Sequence, residues 1–224
     1  MKIGLLIAIE AELKAFLESG AELKTEKVNG RTVYLSRIAG HEIFALCSGC
    51  GEIDAAAGTQ LLITKYGCEA IVNFGVTGAL IPALRTEDLF VVRKVCHYGF
   101  DTSAIDPVKE HQYMDFPDEF IPLDDGLIVL AKRAMPDLRE AVVASGDRFV
   151  ENREEKKELA ALGCDICDME IAAIARVCFL NGIRCLSLKC ISDTFDGDGS
   201  DFLTNVSRSA KKAFCGIPRI LELL

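Results

Sequence analysis

The sequence has no apolar run approaching the ~18 residues that a membrane-spanning helix requires, so a membrane partner is not expected. It has no cluster of Lys or Arg that would form a phosphate-binding stripe. With 25 basic against 34 acidic residues and a net charge of −9, a nucleic-acid partner is disfavoured. Strand-like patterning begins at Lys2, which leaves no room for a secretory leader, and a cytoplasmic protein is expected. Internal repeats, low-complexity tracts and linker-like stretches are also missing. The 224 residues therefore read as a single domain spanning 1–224, since one α/β domain can run to ~250 residues.

Cysteine, by contrast, is plentiful. Ten residues, at 47, 50, 68, 96, 164, 167, 178, 185, 190 and 215, sit mostly inside apolar stretches. That pattern fits reduced core thiols rather than a disulfide framework. Cys47/Cys50 and Cys164/Cys167 have the spacing of zinc half-sites. Two half-sites would have to converge across more than a hundred residues, and neither is flanked by knuckle-type turns, so no metal is expected.

Apolar runs at 2–8, 70–74, 89–95, 141–145, 164–169 and 185–191 alternate with helix-periodic segments at 10–18, 53–66, 126–135, 151–162 and 170–180. Segments 28–35 and 42–47 read as strands joined near Gly40, 75–78 as a turn, and 96–122 as a long loop or lid. A closing helix starts near Asp201, with Gly216 and Pro218 expected to interrupt it. The alternation predicts a three-layer α/β/α sandwich around one mixed sheet.

Ligands of open α/β sheets bind beyond strand ends, so polar residues just after buried strands are the first candidates. These are Glu10-Ala11-Glu12, Asn73 to Gly78, Ser145 to Phe149, Asp168-Met169-Glu170 and Ser192-Asp193. Three carboxylates, Glu12, Glu170 and Asp193, fall at strand ends expected on one side. Singly, each has a plain structural explanation: first-turn acids favoured by the helix dipole for Glu12 and Glu170, and an N-cap for Asp193. Together, with few cations nearby, they suggest proton transfer or stabilisation of a developing cation.

The segments Met1 to Gly4, Glu10 to Glu12, Ser48 to Gly51, Asn73 to Leu80, Ser145 to Val150, Asp168 to Ala175 and Ile191 to Asp193 resemble, in order and at similar spacing, those of the methylthioadenosine/S-adenosylhomocysteine nucleosidase family of the nucleoside phosphorylase superfamily. The resemblance implies a nucleoside phosphorylase-like fold. It also implies hydrolysis of the N-glycosidic bond of a purine nucleoside, in methionine salvage, without a cofactor. Asp193 would be the general acid at purine N7, oriented by Ser192. Glu12 would be the base that activates water. Glu170 would bind the ribose hydroxyls, kept ionised by a helix N-terminus. Met169 would pack on the ribose, Phe149 on the purine face, and the Val150 backbone would read the purine edge. Cys50, Val76, Gly78 and Lys189 complete the implied substrate site. Segment 97–102 resembles one that crosses a dimer interface in the family, so a homodimer is expected, although His97 reads equally well as a packed loop residue.

Three departures bear on specificity. Val76 stands where the family usually has a hydroxyl, with Thr77 beside it. Lys189 replaces an Arg and keeps its charge without its two-pronged geometry. Segment 194–200 is short and lacks an aromatic expected near Gly199. The 5′ substituent of the substrate is therefore open. Two other readings compete: phosphorolysis on the same fold, against which Glu12 would repel phosphate, and a non-catalytic purine-binding protein.

Overall fold

The computed structural model describes residues 1–20 and 22–224. The described residues form ten strands and six helices around one mixed sheet: β1 (Lys2–Ile7), α1 (Glu10–Leu17), β2 (Lys24–Val28), β3 (Arg31–Ile38), β4 (His41–Cys47), α2 (Glu52–Tyr66), β5 (Ala70–Ala79), β6 (Leu89–His97), β7 (Phe120–Pro122), α3 (Asp125–Ala134), β8 (Arg139–Ser145), α4 (Arg153–Ala161), β9 (Ile166–Asp168), α5 (Ile171–Asn181), β10 (Arg184–Asp193) and α6 (Gly199–Leu221). Helices α1, α3 and α6 pack on one face, and α2 and α5 on the other. The expected three-layer sandwich is present.

The apolar runs explain the centre. β1 is buried along almost its whole length because it lies between β4 and β5, both parallel to it, and a strand covered on both faces needs no polar alternation. β10 enters between β5, to which it runs parallel, and β6, to which it runs antiparallel. β6 pairs with β8, β8 with β9, and β9 with the far end of β5. Five strands, β5, β10, β6, β8 and β9, thus close a ring, from which β1, β4, β3 and β2 extend as an open sheet. Within the sheet the Asn73 side chain donates to the Leu6 carbonyl at 3.1 Å and accepts from the Ser187 hydroxyl at 2.8 Å. These two bonds tie β1, β5 and β10 through buried groups that would be costly if unpaired.

Several elements differ from the sequence expectation. The expected turn at 75–78 is strand: β5 continues to Ala79 because β10 and β9 pair with it there, at Gly78↔Asp193 and Gly78↔Cys167. β2, rich in charge and without an apolar run, pairs with β3 across a tight turn whose Asn29 and Gly30 both have positive φ, the geometry of favoured two-residue hairpins. The long segment expected between 96 and 122 loses residues to β6 at one end and to β7 at the other. α6 is not interrupted. Gly216 lets the helix approach Met135 and Leu188 so closely that a Cβ there would collide with both, and Pro218 lies in the last turns of a helix held by burial.

Candidate active site

Glu12 occupies the third position of α1, where its side chain reaches back over the helix start. Its Oε2 accepts from the Ala8 and Ile9 amides at 3.1 and 3.2 Å, and its Oε1 accepts from the Val76 amide of β5 at 2.8 Å. The approach to β5 is close enough that a Cβ on Gly75 would overlap the carboxylate. Burial pushes the Glu12 carboxyl up to about 7, against the pull of the Lys189 charge and of the Val76 and Ile9 amides. Three donated hydrogen bonds fix its direction, and loss of water leaves it poised between its charged and neutral forms.

Asp193 ends β10. The β5–β10 register shifts between Ile191 and Asp193, and such an irregularity re-aims a side chain at a strand end. Asp193 lies against Gly78, where a Cβ would meet its Oδ2 at 2.8 Å, and its Oδ1 accepts from the Ser192 hydroxyl at 2.8 Å. Burial raises its pKa, opposed by Ser192 and by the Lys156 charge.

Glu170 caps α5 at the end of β9. Its Oε1 accepts from the Gly51 amide at the start of α2, at 2.9 Å. Gly51 has φ of 96°, a left-handed conformation that favours glycine, and a Cβ there would strike Asp147. Asp147 itself accepts from the Glu52 amide at 2.6 Å, so two carboxylates take up the exposed amides of one helix N-terminus. The helix terminus does not leave Glu170 with an ordinary acidity. Burial first, then the Asp168 charge, raise its pKa against Lys189, the Gly51 amide and the Cys50 thiol. The Cys50 thiol is pushed up to about 12 by burial and by Glu170, so it stays protonated and serves as a weak donor.

Beneath these groups lies Lys189, whose Nζ is 2.6 Å from Asp168 Oδ2, with both side chains 2% exposed. Burial alone would lower the Lys189 pKa, but Asp168, Glu170 and Glu12 outweigh it and hold it above its ordinary value. Sequence reasoning set Asp168 among the polar residues after a strand but gave it no role. Its signal was two acids flanking a methionine directly after an apolar strand, which does not say which side chain turns inward.

One cleft is lined by Glu12, Cys50, Val76, Gly78, Phe149, Met169, Glu170 and Asp193, together with Ala8, Ile9, Thr77, Cys167, Asp168 and Phe202. Of the expected site residues, Val150, Ser192 and Lys189 are not in that lining. Val150 is buried under α4 in a cluster with Leu80, Cys96 and Leu159, Ser192 stands behind Asp193, and Lys189 lies below the carboxylates. Thr77 does not replace the hydroxyl missing at position 76, because its Oγ1 donates to the Cys167 carbonyl at 2.7 Å. An aromatic ring is present at the closing segment after all. Phe202, in the first turn of α6, meets Phe149 edge-on at 5.6 Å, three residues beyond the place the sequence suggested. His97 is held within its own chain, with Nδ1 2.7 Å from the Tyr113 hydroxyl and Nε2 2.9 Å from Glu52. Phe100 and Tyr113 stack on each other at 3.9 Å, so they do not depend on a second subunit for cover.

The sequence profile of the Phosphorylase superfamily matches residues 2–222. Over 231 aligned residues the chain is 31% identical to a 5′-methylthioadenosine/S-adenosylhomocysteine nucleosidase of Maridesulfovibrio salexigens, covering 100% of this chain and 99% of that one. It is 28% identical to an aminodeoxyfutalosine nucleosidase of Campylobacter jejuni, over 86% of each. In three dimensions it is similar to the Helicobacter pylori 5′-methylthioadenosine/S-adenosylhomocysteine nucleosidase complexed with an amino-pyrrolopyrimidine-bearing pyrrolidinol, with a TM-score of 0.92, 28% identity, and coverage of 100% and 99%. With its fold, its carboxylate-lined cleft and these full-length likenesses, the chain belongs to the phosphorylase superfamily and, within it, to the methylthioadenosine/S-adenosylhomocysteine nucleosidase family.

Proposed function

We propose that this protein hydrolyses the N-glycosidic bond of an adenine nucleoside of the methylthioadenosine or S-adenosylhomocysteine type, releasing the free base. The observation that carries the reading is the meeting of three buried carboxylates, Glu12, Glu170 and Asp193, in one cleft between aromatic and thioether side chains. Asp193, its proton favoured by burial, protonates N7, so the base leaves neutral as the C1′–N9 bond breaks. Glu12 takes a proton from water, and the oxygen bonds to C1′. The proton lost by Asp193 is balanced by the one gained by Glu12. The negative charge shared by Glu12, Glu170 and Asp168 favours a sugar that becomes cationic, and Glu170 accepts from the ribose hydroxyls. Met169 packs on the ribose, and Phe149 with Phe202 on the purine. Cys50, Val76 and Gly78 complete the walls, and the Val150 backbone reads the purine edge. Ser192 and Lys189 orient the acids from behind.

The same geometry speaks against phosphorolysis. Lys189 is paired with Asp168 below the cleft and is not in its lining, and the lining offers carboxylates where phosphate would need cations. The chain acts as one domain over 1–224, in the cytoplasm, where its free thiols stay reduced, and as a homodimer. Among the described residues no helix is long and apolar enough to cross a membrane. The test is an assay of purified protein on 5′-substituted adenine nucleosides with and without phosphate. Free adenine and unphosphorylated sugar, at a rate indifferent to phosphate, are expected. A sugar 1-phosphate as the main product would overturn hydrolysis, and absence of any cleavage would overturn the catalytic reading.

A further inference from the structure

The second fully buried lysine is not in the carboxylate cluster. Lys156, in α4, is 0% exposed, and its Nζ donates to the carbonyls of Thr194, Phe195 and Gly197 at 2.9, 3.3 and 3.1 Å. All three ammonium donors are spent on backbone carbonyls of one short turn. A buried ammonium is costly unless its protons are satisfied, so the turn must keep these three carbonyls converging on it. The exposed pair Arg153–Asp196, at 2.8 Å, joins the same helix to the same turn.

The turn has functional neighbours at both ends. Asp193 precedes it. Asp198 follows it and caps α6 by accepting from the Ser200 and Asp201 amides, and Phe202 in that first turn lines the cleft. On its other side, α4 is continuous with the segment that carries Phe149. We infer that Lys156 is a positioning residue, whose ammonium pins the 194–197 turn so that Asp193 and Phe202 face the cleft, and whose unneutralised charge, held at the carbonyl of the residue after Asp193, bears on that carboxyl. This rests on the reading of Asp193 as the acid. The groups that face Asp193 are Lys156 from α4, Asp201 from α6, the Cys167 thiol from β9 and the Ser192 hydroxyl of its own strand. Burial raises the Cys167 pKa, which keeps that thiol neutral. Lys156 and Asp201 are thus the charges that oppose each other across the acid: the first lowers its pKa and the second raises it.

The experiment compares wild type with Lys156→Met, Lys156→Gln, Lys156→Arg and Asp201→Asn by two readouts. One is the pH–rate profile on an adenine nucleoside. The other is the carbon-13 titration of aspartate carboxyls, with the Asp193 signal assigned from Asp193→Asn. Without the cation, Asp193 should titrate on the order of one pH unit higher, and the limb of the pH–rate profile set by Asp193 should move up with it. Lys156→Met should also lose roughly tenfold in kcat as the turn loosens. Lys156→Arg should restore the titration, and Asp201→Asn should move it down. If Lys156→Met does not fold, Lys156→Gln carries the test, because its amide still donates to two carbonyls. An Asp193 titration unmoved in the neutral variants would overturn the inference. A wild type that releases no base would sink the nucleosidase reading alone, since the carbon-13 titration still reports on Lys156.

Discussion

At the scale of single residues, the site is governed by the balance between burial and a few fixed charges. Glu12 is held at about 7, well above the ~4.3 of a free glutamate. As the proposed base Glu12 works only when deprotonated, and Asp193 as the proposed acid only when protonated, so turnover should depend on pH through both groups, each setting one limb of the profile. Glu12→Gln should keep ligand binding, lose ~10²- to 10⁴-fold in the chemical step and lose the limb of the profile set by Glu12, as single-turnover rates across pH would reveal. An unchanged rate would remove Glu12 from the mechanism. Lys189 is the cation on which Asp168, Glu170 and Glu12 depend together. Lys189→Met leaves three buried carboxylates without a counter-charge, and removal of one partner from a buried pair costs about 3–5 kcal/mol. The sign follows from linkage: Glu12 and Glu170, whose folded pKa values are already raised and would be raised further, contribute stability at low pH that is lost as pH rises through those values. Urea unfolding should therefore show the variant far weaker than wild type at pH 8 and much closer to it at pH 5. The sequence pointed to Glu12, Glu170 and Asp193 because each directly follows a buried strand. It could not point to Lys156, which lies in the charged run Glu154-Glu155-Lys156-Lys157 and looks solvated until tertiary packing turns one of the four inward.

At the scale of elements, strand identity was legible where burial on both faces leaves an unbroken apolar run, as in β1, β5 and β10. It was not legible where pairing alone makes the strand, as in β2, or where glycines that look like a turn serve another purpose. Gly75 is such a case. Its backbone is ordinary for a strand, and what it lacks is a side chain, because Glu12 occupies that space. Gly75→Ala should fold with a near-native circular dichroism spectrum and melting temperature. Its kcat should fall ~10²-fold, since a misplacement of about 1 Å can cost that much. Near wild-type turnover would mean that Glu12 has room to move without consequence.

At the scale of the whole molecule, the question is what covers the apolar side chains that the fold leaves outside. Ile53, Ile105, Met114 and Leu180 are 82, 84, 69 and 63% exposed. They stand on α2, on α5 and on the segment between β6 and β7, which are linked through His97, held between Tyr113 and Glu52, and through the Phe116–Phe179 contact. Large apolar groups on adjoining elements mark an interface, and a homodimer through this face should bury on the order of 1,200 Å² or more. Sedimentation equilibrium should give twice the chain mass, and paired Ile105→Asp and Met114→Asp changes should halve it. A wild type that is monomeric at full activity would rule the dimer out.

The closed ring of β5, β10, β6, β8 and β9 also governs how the chain comes to be folded. β10 is the last strand to leave the ribosome, yet its place is in the middle, between strands made more than ninety residues earlier. Until it arrives, β5 offers an unpaired apolar edge, and such edges invite pairing between chains. Closure over so long a stretch of sequence is slow. Asp193, the proposed acid, is the final residue of that strand, so on that reading the chemistry is completed by the same event that removes the exposed edge. A nascent or truncated chain that stops short of residue 184 should therefore be both inactive and prone to aggregate, and the two properties should disappear together when β10 is supplied.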